Sequence, residues 1–302
     1  MNMAEPAQPR LRGTLKKNEP MARYLSWRAG GPADRLYVPA DLDDLAAFLR
    51  QVPGGEPLLF VGLGSDLLVR DGGWRGTAVL MHSAKKSPEL VRGRIYAEAA
   101  VASPKVARFA AVHDLAGAEF LVGIPGTVGG ALAMNAGCYG GETWAIVEKV
   151  LTIDRSGALR ERAPRDFEIG YRHCALKGGA EEWFAAAWFR LPPGDGGVSR
   201  EKMRILLARR VASQPLELPN AGSVFRNPPG DHAARLIEAC GLKGLERGVA
   251  RVSEKHANFI VNPKGAARAA DIEGLMLEVQ KKVLEMTGVK LVPEVRIVGE
   301  AG

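Results

Sequence analysis

The feature that most constrains this chain is a glycine-rich segment near its middle, residues 123–141, with the sequence GIPGTVGGALAMNAGCYGG. Seven of its nineteen residues are glycine, and its apolar residues follow neither a helical nor a strand period. Glycine permits close approach of a ligand to the backbone, but ordering so long an irregular loop costs conformational entropy. We therefore predict that this segment is an irregular loop ordered by a ligand, rather than an inert surface connection.

Length and composition restrict the class of protein. The 302 residues are 46% hydrophobic and 25% charged, which is typical of a globular chain with one large or two medium domains. The chain contains neither an apolar run of membrane-spanning length nor an apolar N-terminal signal segment, so a soluble, cytoplasmic protein is expected. Free thiols in a reducing compartment are expected for the three cysteines, which lack paired spacing: Cys138, Cys174 and Cys240.

The charge balance favours anionic ligands. Lys and Arg number 41 against 34 Asp and Glu, giving a net charge of +7. The basic residues are dispersed except in residues 199–211, and only 6% of the chain is aromatic, so no nucleic-acid partner is expected. The five histidines are scattered, and neither H-x-x-x-H nor C-x-x-C occurs, so no metal site is expected.

Turn signals and periodicity divide the chain into regions. The polar, proline-rich residues 1–21 are expected to form an N-terminal arm. Residues 192–197, PPGDGG, interrupt every pattern and predict a domain boundary. Capping signals and helical periods predict five helices, at residues 41–51, 103–117, from 199 onward, 231–240 and 271–288. Strand-like segments lie between them, which indicates an α+β protein.

A shorter glycine element, GLGSDLLV at residues 62–69, follows the strand-like PLLFVG. A Rossmann fingerprint would need a third glycine where Leu67 stands, followed by a helix, and the sequence shows neither. The element is either a plain turn between strands or a turn whose backbone N–H groups hold a phosphate. Together with the longer glycine segment, it could bind the two phosphates of a dinucleotide.

Six motifs occur in the order and spacing of one enzyme family. Besides the two glycine elements they are GYRHCAL (170–176), AGSVFRNPPGD (221–231), VSEKHANFIVN (252–262) and VPEVRIVG (292–299). Over residues 22–299 the chain resembles the UDP-N-acetylenolpyruvoylglucosamine reductase family, in the subclass without an extra tyrosine-bearing loop.

The resemblance implies a fold and an activity. It implies an FAD-binding domain of the vanillyl-alcohol-oxidase type at residues 22–195, made of two α+β subdomains (about 22–88 and 89–195). A C-terminal α+β substrate-binding domain would follow at residues 199–302. The implied protein is a monomeric flavoenzyme with non-covalent FAD and with NADPH as hydride donor. It would reduce the enolpyruvyl group of a UDP-sugar in peptidoglycan precursor synthesis, without a membrane or nucleic-acid partner.

The resemblance also implies roles for individual residues. Arg172 would be the fixed cation for the substrate carboxylate, Glu294 an acid with a raised pKa, and Ser223 the proton donor to carbon. The implied substrate contacts are Tyr171, Gln214, Arg226 and Asn227, with Arg209 and Arg210 as weaker candidates. The implied cofactor contacts are Gly62, Gly64, Ser65, Asp66, Leu67, Gly123, Ile124, Pro125, Gly126, Thr127, Gly129, Gly130, Asn135, Ala136 and Gly137.

The first glycine element departs from the family pattern at two positions. The family more often has G-G-G-S-N where this chain has G-L-G-S-D, so Leu63 and Asp66 are the differences. A carboxylate beside the FAD diphosphate would repel it, unless it faces away or accepts a hydrogen bond from N–H or ribose hydroxyl groups.

Two alternative functions remain open from the sequence. One is an FAD oxidase of the same superfamily with another substrate, which would react with oxygen and ignore the UDP-sugar. The other is a non-catalytic basic nucleotide-binding module, which would bind nucleic acid with steep salt dependence and hold no flavin.

Overall fold

The computed structural model describes residues 10–302, and its first subdomain is a four-stranded sheet covered by a helix. Its elements are β1 (Thr14–Pro20), β2 (Pro32–Val38), α1 (Leu42–Leu49), β3 (Leu58–Val61), β4 (Leu67–Val69) and β5 (Trp74–Leu80). The strand order is β1-β2-β5-β3, with β1 antiparallel and the others parallel. The helix predicted at residues 41–51 is present as α1, and Asp41 caps it by accepting a hydrogen bond from the Asp44 backbone N–H.

Part of the predicted N-terminal arm belongs to this sheet. Residues 14–20 form β1, which pairs with β2 from Thr14 opposite Val38 to Pro20 opposite Pro32. Among the β1 side chains only Glu19 is buried, so this edge strand needs no apolar alternation and its sequence shows none. The arm prediction was therefore wrong for this stretch, and residues 1–9 of the predicted arm lie outside the described residues.

The second subdomain is built on a five-stranded antiparallel sheet with the order β11-β10-β14-β7-β6. Its helices are α2 (Ser103–Val112), α3 (Val128–Ala133) and α4 (Gly196–Ser213). Its strands are β6 (Glu89–Val91), β7 (Arg94–Glu98), β8 (Gly137–Cys138), β9 (Gly141–Glu142), β10 (Val147–Asp154), β11 (Leu159–Arg162), β12 (Phe167–Gly170), β13 (His173–Leu176) and β14 (Glu182–Phe189). Strands β10 and β11 form a hairpin whose turn includes Arg155, Ser156 and Gly157.

The glycine-rich segment is more regular than its sequence predicts. Helix α3 lies inside it, capped by the Thr127 hydroxyl, and β8 and β9 form a short hairpin at its end. Two glycines inside α3 lower its helix propensity, so the sequence does not predict this helix. Burial of Val128 and Leu132 in the subdomain core supplies the tertiary contacts that stabilise α3, so the prediction of a wholly irregular loop was wrong here.

Helix α4 lies on the second subdomain, although the boundary predicted at residues 192–197 assigns it to the C-terminal domain. Its Met203 and Leu206 belong to the same buried cluster as the residues of α2 and β7. Near its start, the Ser199 hydroxyl donates to Glu119 over 2.7 Å. After α4, the first residue in the core of the third region is Ala221.

The third region is a small α+β unit. Its elements are α5 (Ala233–Ala239), β15 (Glu246–Arg247), β16 (Ala250–Val252), β17 (Ile260–Val261), α6 (Ala269–Thr287) and β18 (Arg296–Val298). Helix α6 buries Ile272, Leu275 and Val279 in this core and ends at Gly288, whose φ of 73° is the left-handed conformation that glycine tolerates. The helices and largely antiparallel sheets confirm the predicted α+β class. Within residues 10–302, no helix has the length and apolarity needed to cross a membrane.

Strand pairing and a buried tryptophan are among the connections that join the first subdomain to the third region. Strand β18 pairs in parallel with β4, so the C-terminal strand returns to the first glycine element. Trp27, from the segment before β2, is fully buried in the core of the third region, and its indole N–H donates to the Ile260 carbonyl over 2.7 Å. The Asn262 amide in turn donates to the Trp27 carbonyl over 2.8 Å. Trp27, Ala29 and Leu68 of the first subdomain therefore share the core of the third region, while the rest of that subdomain packs in clusters of its own.

We predict that Trp27→Ala lowers the free energy of unfolding by about 3–5 kcal/mol, because it leaves a cavity in this shared core and an unpaired Ile260 carbonyl. Chemical denaturation monitored by circular dichroism measures the loss. Val112→Ala, at an exposed position on α2, is the control and should change stability by less than about 0.5 kcal/mol. Equal losses in the two variants would contradict the importance of the Trp27 contact.

Candidate active site

A cavity of about 560 Å³ lies where the two subdomains and the third region meet. Its wall includes both glycine elements, the β12–β13 hairpin, the end of α4 and the segment that leads into β18. The three residues predicted to be catalytic, Arg172, Ser223 and Glu294, all line it. So do fourteen of the fifteen predicted cofactor contacts: Gly62, Gly64, Ser65, Asp66, Leu67, Gly123, Ile124, Pro125, Gly126, Thr127, Gly129, Gly130, Ala136 and Gly137.

The two glycine elements face each other at close range. A Cβ placed on Gly62 would lie 2.5 Å from the Thr127 hydroxyl, and one placed on Gly126 would lie 3.4 Å from the Ser65 hydroxyl. Gly64 has a φ of 58°, and a Cβ there would lie 2.4 Å from the Tyr24 carbonyl. Glycine at these positions allows the two backbones to form one continuous wall.

Asn135 is the predicted cofactor contact that does not line the cavity. It is buried, and its amide donates to Glu142 over 3.0 Å and to the Gly170 carbonyl over 3.1 Å, while its oxygen accepts from the Trp144 N–H. Gly170 is the last residue of β12, just before the turn that carries Arg172. Asn135 therefore ties the glycine-rich segment to the hairpin that positions Arg172.

Arg172 occupies the tip of the β12–β13 hairpin. The pairing of Gly170 with His173 leaves a two-residue turn, in which Arg172 has a φ of 52°. A non-glycine residue in this conformation is strained by about 1–3 kcal/mol, and two hydrogen bonds hold it. Its Nε donates to Glu294 Oε1 over 2.6 Å and its Nη2 to the Gly137 carbonyl over 2.9 Å. The guanidinium thus joins the glycine-rich segment to the C-terminal segment.

Backbone hydrogen bonds bring Ser223 and Glu294 together. The Glu294 N–H donates to the Val224 carbonyl over 2.8 Å, so the two segments lie side by side. Asn258, which is buried, accepts from the Phe225 N–H and donates to the Phe225 carbonyl. These bonds fix the loop that carries Ser223 from both sides.

Burial shifts the ionisation of both acids in the cavity. It raises the pKa of Glu294 above its usual range, and the positive charge of Arg172 partly opposes that shift. Burial, reinforced by the nearby Glu294, raises the pKa of Asp66 to about 8. The cavity therefore favours one negative charge over two.

The predicted substrate contacts are distributed unevenly. Gln214 lines the cavity and accepts a hydrogen bond from Arg210 Nε over 2.9 Å. Tyr171, Arg226 and Asn227 do not line it. Tyr171 is exposed, with its ring 5.2 Å from the Arg172 guanidinium carbon, and the Asn227 oxygen accepts from the Ala233 N–H at the start of α5. Arg226 has a buried Nε with no hydrogen-bond partner.

Sequence reasoning missed several lining residues. Arg210 was treated as a weak candidate, yet it lines the cavity, and burial lowers its pKa. Other missed residues are Phe60, Cys138, Cys174, Trp183, Phe184, Phe259 and Arg296. Phe60, Trp183 and Phe184 lie outside the six motifs, so only the three-dimensional packing identifies them. The other four lie within the motifs but had no predicted role. Burial raises the pKa of Cys138 to about 11 and of Cys174 to about 12, so both thiols are neutral near pH 7.

A second cavity of about 600 Å³ adjoins the first and shares Gly62, Ser65 and Arg210 with it. Arg23 and Arg28 also line it, so within the described part of the chain its guanidinium groups outnumber the one lining carboxylate, that of Glu217. The two cavities together offer an extended site with cationic side chains. In residues 10–302 there is no cluster of three His, Cys, Asp or Glu side chains that could hold a metal ion.

Comparison with known proteins matches both halves of the chain. Residues 33–162 match a family described as FAD binding domain, and residues 214–298 match the C-terminal domain family of UDP-N-acetylenolpyruvoylglucosamine reductase. The chain is 58% identical to the UDP-N-acetylenolpyruvoylglucosamine reductase of Thiobacillus denitrificans, over 97% of this chain and 94% of that protein. It is 59% identical to the protein of the same name from Methylococcus capsulatus, over 96% and 95% of the two chains.

A solved structure is also similar. The crystal structure of UDP-N-acetylenolpyruvylglucosamine reductase from Thermus caldophilus aligns with a TM-score of 0.80 and 31% identity. The alignment covers 95% of this chain and 99% of that one. The matched C-terminal family begins at Gln214, after α4, which agrees with the packing of α4 on the second subdomain.

We predict that Gly62→Ala weakens FAD binding by about 10- to 100-fold, because the added methyl group collides with the Thr127 hydroxyl and relieving an overpacked contact costs about 1–3 kcal/mol. The dissociation constant is measured by the change in flavin fluorescence on dilution. Gly54→Ala is the matched control, since a Cβ there meets no atom within 4 Å. Unchanged FAD affinity in the Gly62 variant would contradict the close approach of the two glycine elements.

Proposed function

The chain belongs to the UDP-N-acetylenolpyruvoylglucosamine reductase family, and on this premise we propose that Arg172, Glu294 and Ser223 carry its reaction in the cavity described above. The enzyme is an FAD-dependent oxidoreductase. It reduces the enolpyruvyl group of UDP-N-acetylglucosamine enolpyruvate to UDP-N-acetylmuramate in peptidoglycan precursor synthesis. The observation that supports the assignment of residues is that one cavity joins all three side chains to both glycine elements.

The residues of the cavity fit FAD. The two glycine elements expose backbone along one continuous wall, and added side chains at Gly62 or Gly64 would collide with the opposite segment or the Tyr24 carbonyl. Aromatic side chains, Phe60, Trp183 and Phe184, supply apolar surface in the same cavity. Arg210 supplies a cation for the diphosphate. We assign the fourteen lining glycine-element residues named above as the FAD contacts, with Asn135 as a positioning residue behind them.

FAD, when bound, supplies the hydride transfer from the nicotinamide donor to the substrate alkene. Hydride addition to the terminal carbon of the enolpyruvyl group leaves negative charge on the conjugated carboxylate. Arg172 is placed to stabilise that charge, because its guanidinium cannot lose its proton and has five N–H donors. The contacts with Glu294 and Gly137 use two of these donors and orient the planar group.

Glu294 acts beside Arg172. Because its pKa is raised, Glu294 binds a proton more tightly than an exposed glutamate does. The substrate carboxylate would raise the pKa of Glu294 further through like-charge repulsion. In its protonated form, Glu294 donates a hydrogen bond to one oxygen of the developing enediolate while Arg172 stays bound to the other.

Ser223 supplies the proton that completes the reduction. Its hydroxyl lines the cavity on a loop held by Asn258, so it has a defined position relative to Glu294. The proton goes to the carbon next to the carboxylate, which is the carbon left electron-rich by hydride addition. A serine is a weak acid, so this role requires contact distance of about 3 Å and re-protonation through neighbouring polar groups.

For the UDP group we propose Gln214 as a contact on the cavity wall, together with Tyr171, Arg226 and Asn227 at its margin. The unpartnered Nε of Arg226 supports a role in binding the anionic diphosphate.

We further propose NADPH as the hydride donor and a monomeric, cytoplasmic enzyme without membrane or nucleic-acid partners. The free thiols of the three cysteines support a reducing compartment.

The purified protein should be yellow, and its flavin absorption should be bleached by NADPH and restored by the enolpyruvyl UDP-sugar under anaerobic conditions. This spectrum separates the proposal from both alternatives considered above. An oxidase would recover its colour with oxygen but not with the UDP-sugar, and a nucleotide-binding module would be colourless even after incubation with FAD.

Ser223→Ala should slow the oxidation of the reduced enzyme by substrate about 10²- to 10⁴-fold and leave bleaching by NADPH unchanged within twofold, because only the substrate step needs the proton. Rapid mixing followed by flavin absorbance measures both steps separately. Ser213→Ala, at an exposed position at the end of α4, is the matched control and should alter neither step. Equal slowing of both steps by Ser223→Ala would argue for a structural role of the hydroxyl.

A further inference from the structure

Asp66 is a carboxylic acid without a partner in the wall of the cofactor cavity. It lies on the first glycine element, and its backbone carbonyl accepts from the Arg296 N–H over 3.1 Å, which fixes its position beside the C-terminal segment. Within residues 10–302 its carboxyl oxygens make neither a hydrogen bond nor an ion pair. Where a carboxyl group has no hydrogen-bond or ion-pair partner, the neutral protonated form costs less free energy than the ionised form.

The charged groups around Asp66 come from three segments. Glu294 and Arg296 lie on the C-terminal segment, Arg172 on the β12–β13 hairpin and Arg226 on the loop after Ser223. Glu294 raises the pKa of Asp66, and each of the three arginines lowers it by less than burial raises it. Asp66 is therefore not the acid that these cations neutralise.

Asp66 and Glu294 compete for one proton in the same cavity. Two carboxylates that share a desolvated site do not both ionise easily. Before substrate binds, Arg172 contacts Glu294 directly at 2.6 Å, which favours the charge on Glu294 and leaves the proton on Asp66. The pKa of about 8 for Asp66 agrees with this division.

Building on the proposed FAD site, we infer that Asp66 keeps its proton at neutral pH and serves as a neutral hydrogen-bond donor toward the cofactor, so that its ionisation weakens FAD binding. The ionised form would add a negative charge to a cavity that must accept the two negative charges of the diphosphate. FAD affinity is thereby tuned by pH in the mildly alkaline range.

The size of the effect follows from proton linkage. Below pH 8 Asp66 is protonated in most molecules. Above pH 8 the fraction with protonated Asp66, which binds FAD, falls about tenfold for each unit of pH. The dissociation constant for FAD should then rise about tenfold between pH 7 and pH 9. The arginines facing Asp66 stay charged over this range, and the lining thiols stay neutral, so neither contributes.

The test is release of FAD from the holoenzyme on dilution, followed by flavin fluorescence at several pH values from 6.5 to 9. Asp66→Asn keeps the size of the side chain and a donor group but cannot ionise, so its FAD affinity should vary less than twofold over this range. Asp34→Asn, at an exposed position on β2, is the matched control and should keep the wild-type pH dependence. A flat wild-type curve, or the same slope in Asp66→Asn, would overturn the inference.

Glu294→Gln gives a second test that does not depend on folding of the Asp66 variant. Loss of the neighbouring negative charge should lower the pKa of Asp66, so FAD release should begin at lower pH. A curve that is unchanged or displaced to higher pH would count against the coupled acids. A wild-type protein that retains no FAD at pH 6.5 would contradict the proposed function itself, which is a distinguishable result.

Discussion

The active cavity depends on the C-terminal segment, which hydrogen-bonds to two distant parts of the chain at once. The Glu294 N–H bonds the Val224 carbonyl, and two residues later the Arg296 N–H bonds the Asp66 carbonyl. Strand β18 then continues alongside β4. Because consecutive residues of an extended segment are only about 3.3 Å apart, these bonds bring the serine loop and the first glycine element to the same wall.

Charge balance in a partly dehydrated space is the second constraint on this site. Arg172, Arg210 and Arg296 line the cavity together with three acids, Asp66, Glu182 and Glu294, and Glu182 is already paired with Arg162. An anionic cofactor and an anionic substrate can enter such a space because the cations exceed the charges already present. The direct contact of Glu294 with Arg172 orients the guanidinium, whereas among residues 10–302 the Asp66 carboxyl has no such cationic partner in direct contact. Orientation and ionisation thus result from the same small group of side chains.

Local motifs identified the backbone segments that line the cavity. Glycine at Gly62 and Gly64 is needed for close approach of two segments, so the residue types reveal the loops, and most of the predicted cofactor contacts line the cavity. Asn135 has the same motif context but faces inward to Gly170 and Glu142, because an amide can satisfy buried backbone groups as readily as a ligand. Helix α3 was not predicted because its two glycines lower its helix propensity. Strand β1 was not predicted because it has no buried apolar face and therefore no alternating pattern.

The sequence by itself determined the α+β class, the two glycine elements, the family resemblance and the identities of the three residues proposed for catalysis, because each is encoded in residue types at short spacing. Only the tertiary structure decided which subdomain holds α4, that Trp27 completes a core more than 200 residues away, and that Arg172, Ser223 and Glu294 share one cavity. Those outcomes depend on packing and hydrogen bonds between distant segments, for which no local pattern exists. The tertiary structure also decides which of Asp66 and Glu294 carries the proton, because burial and neighbouring charge are properties of the folded cavity.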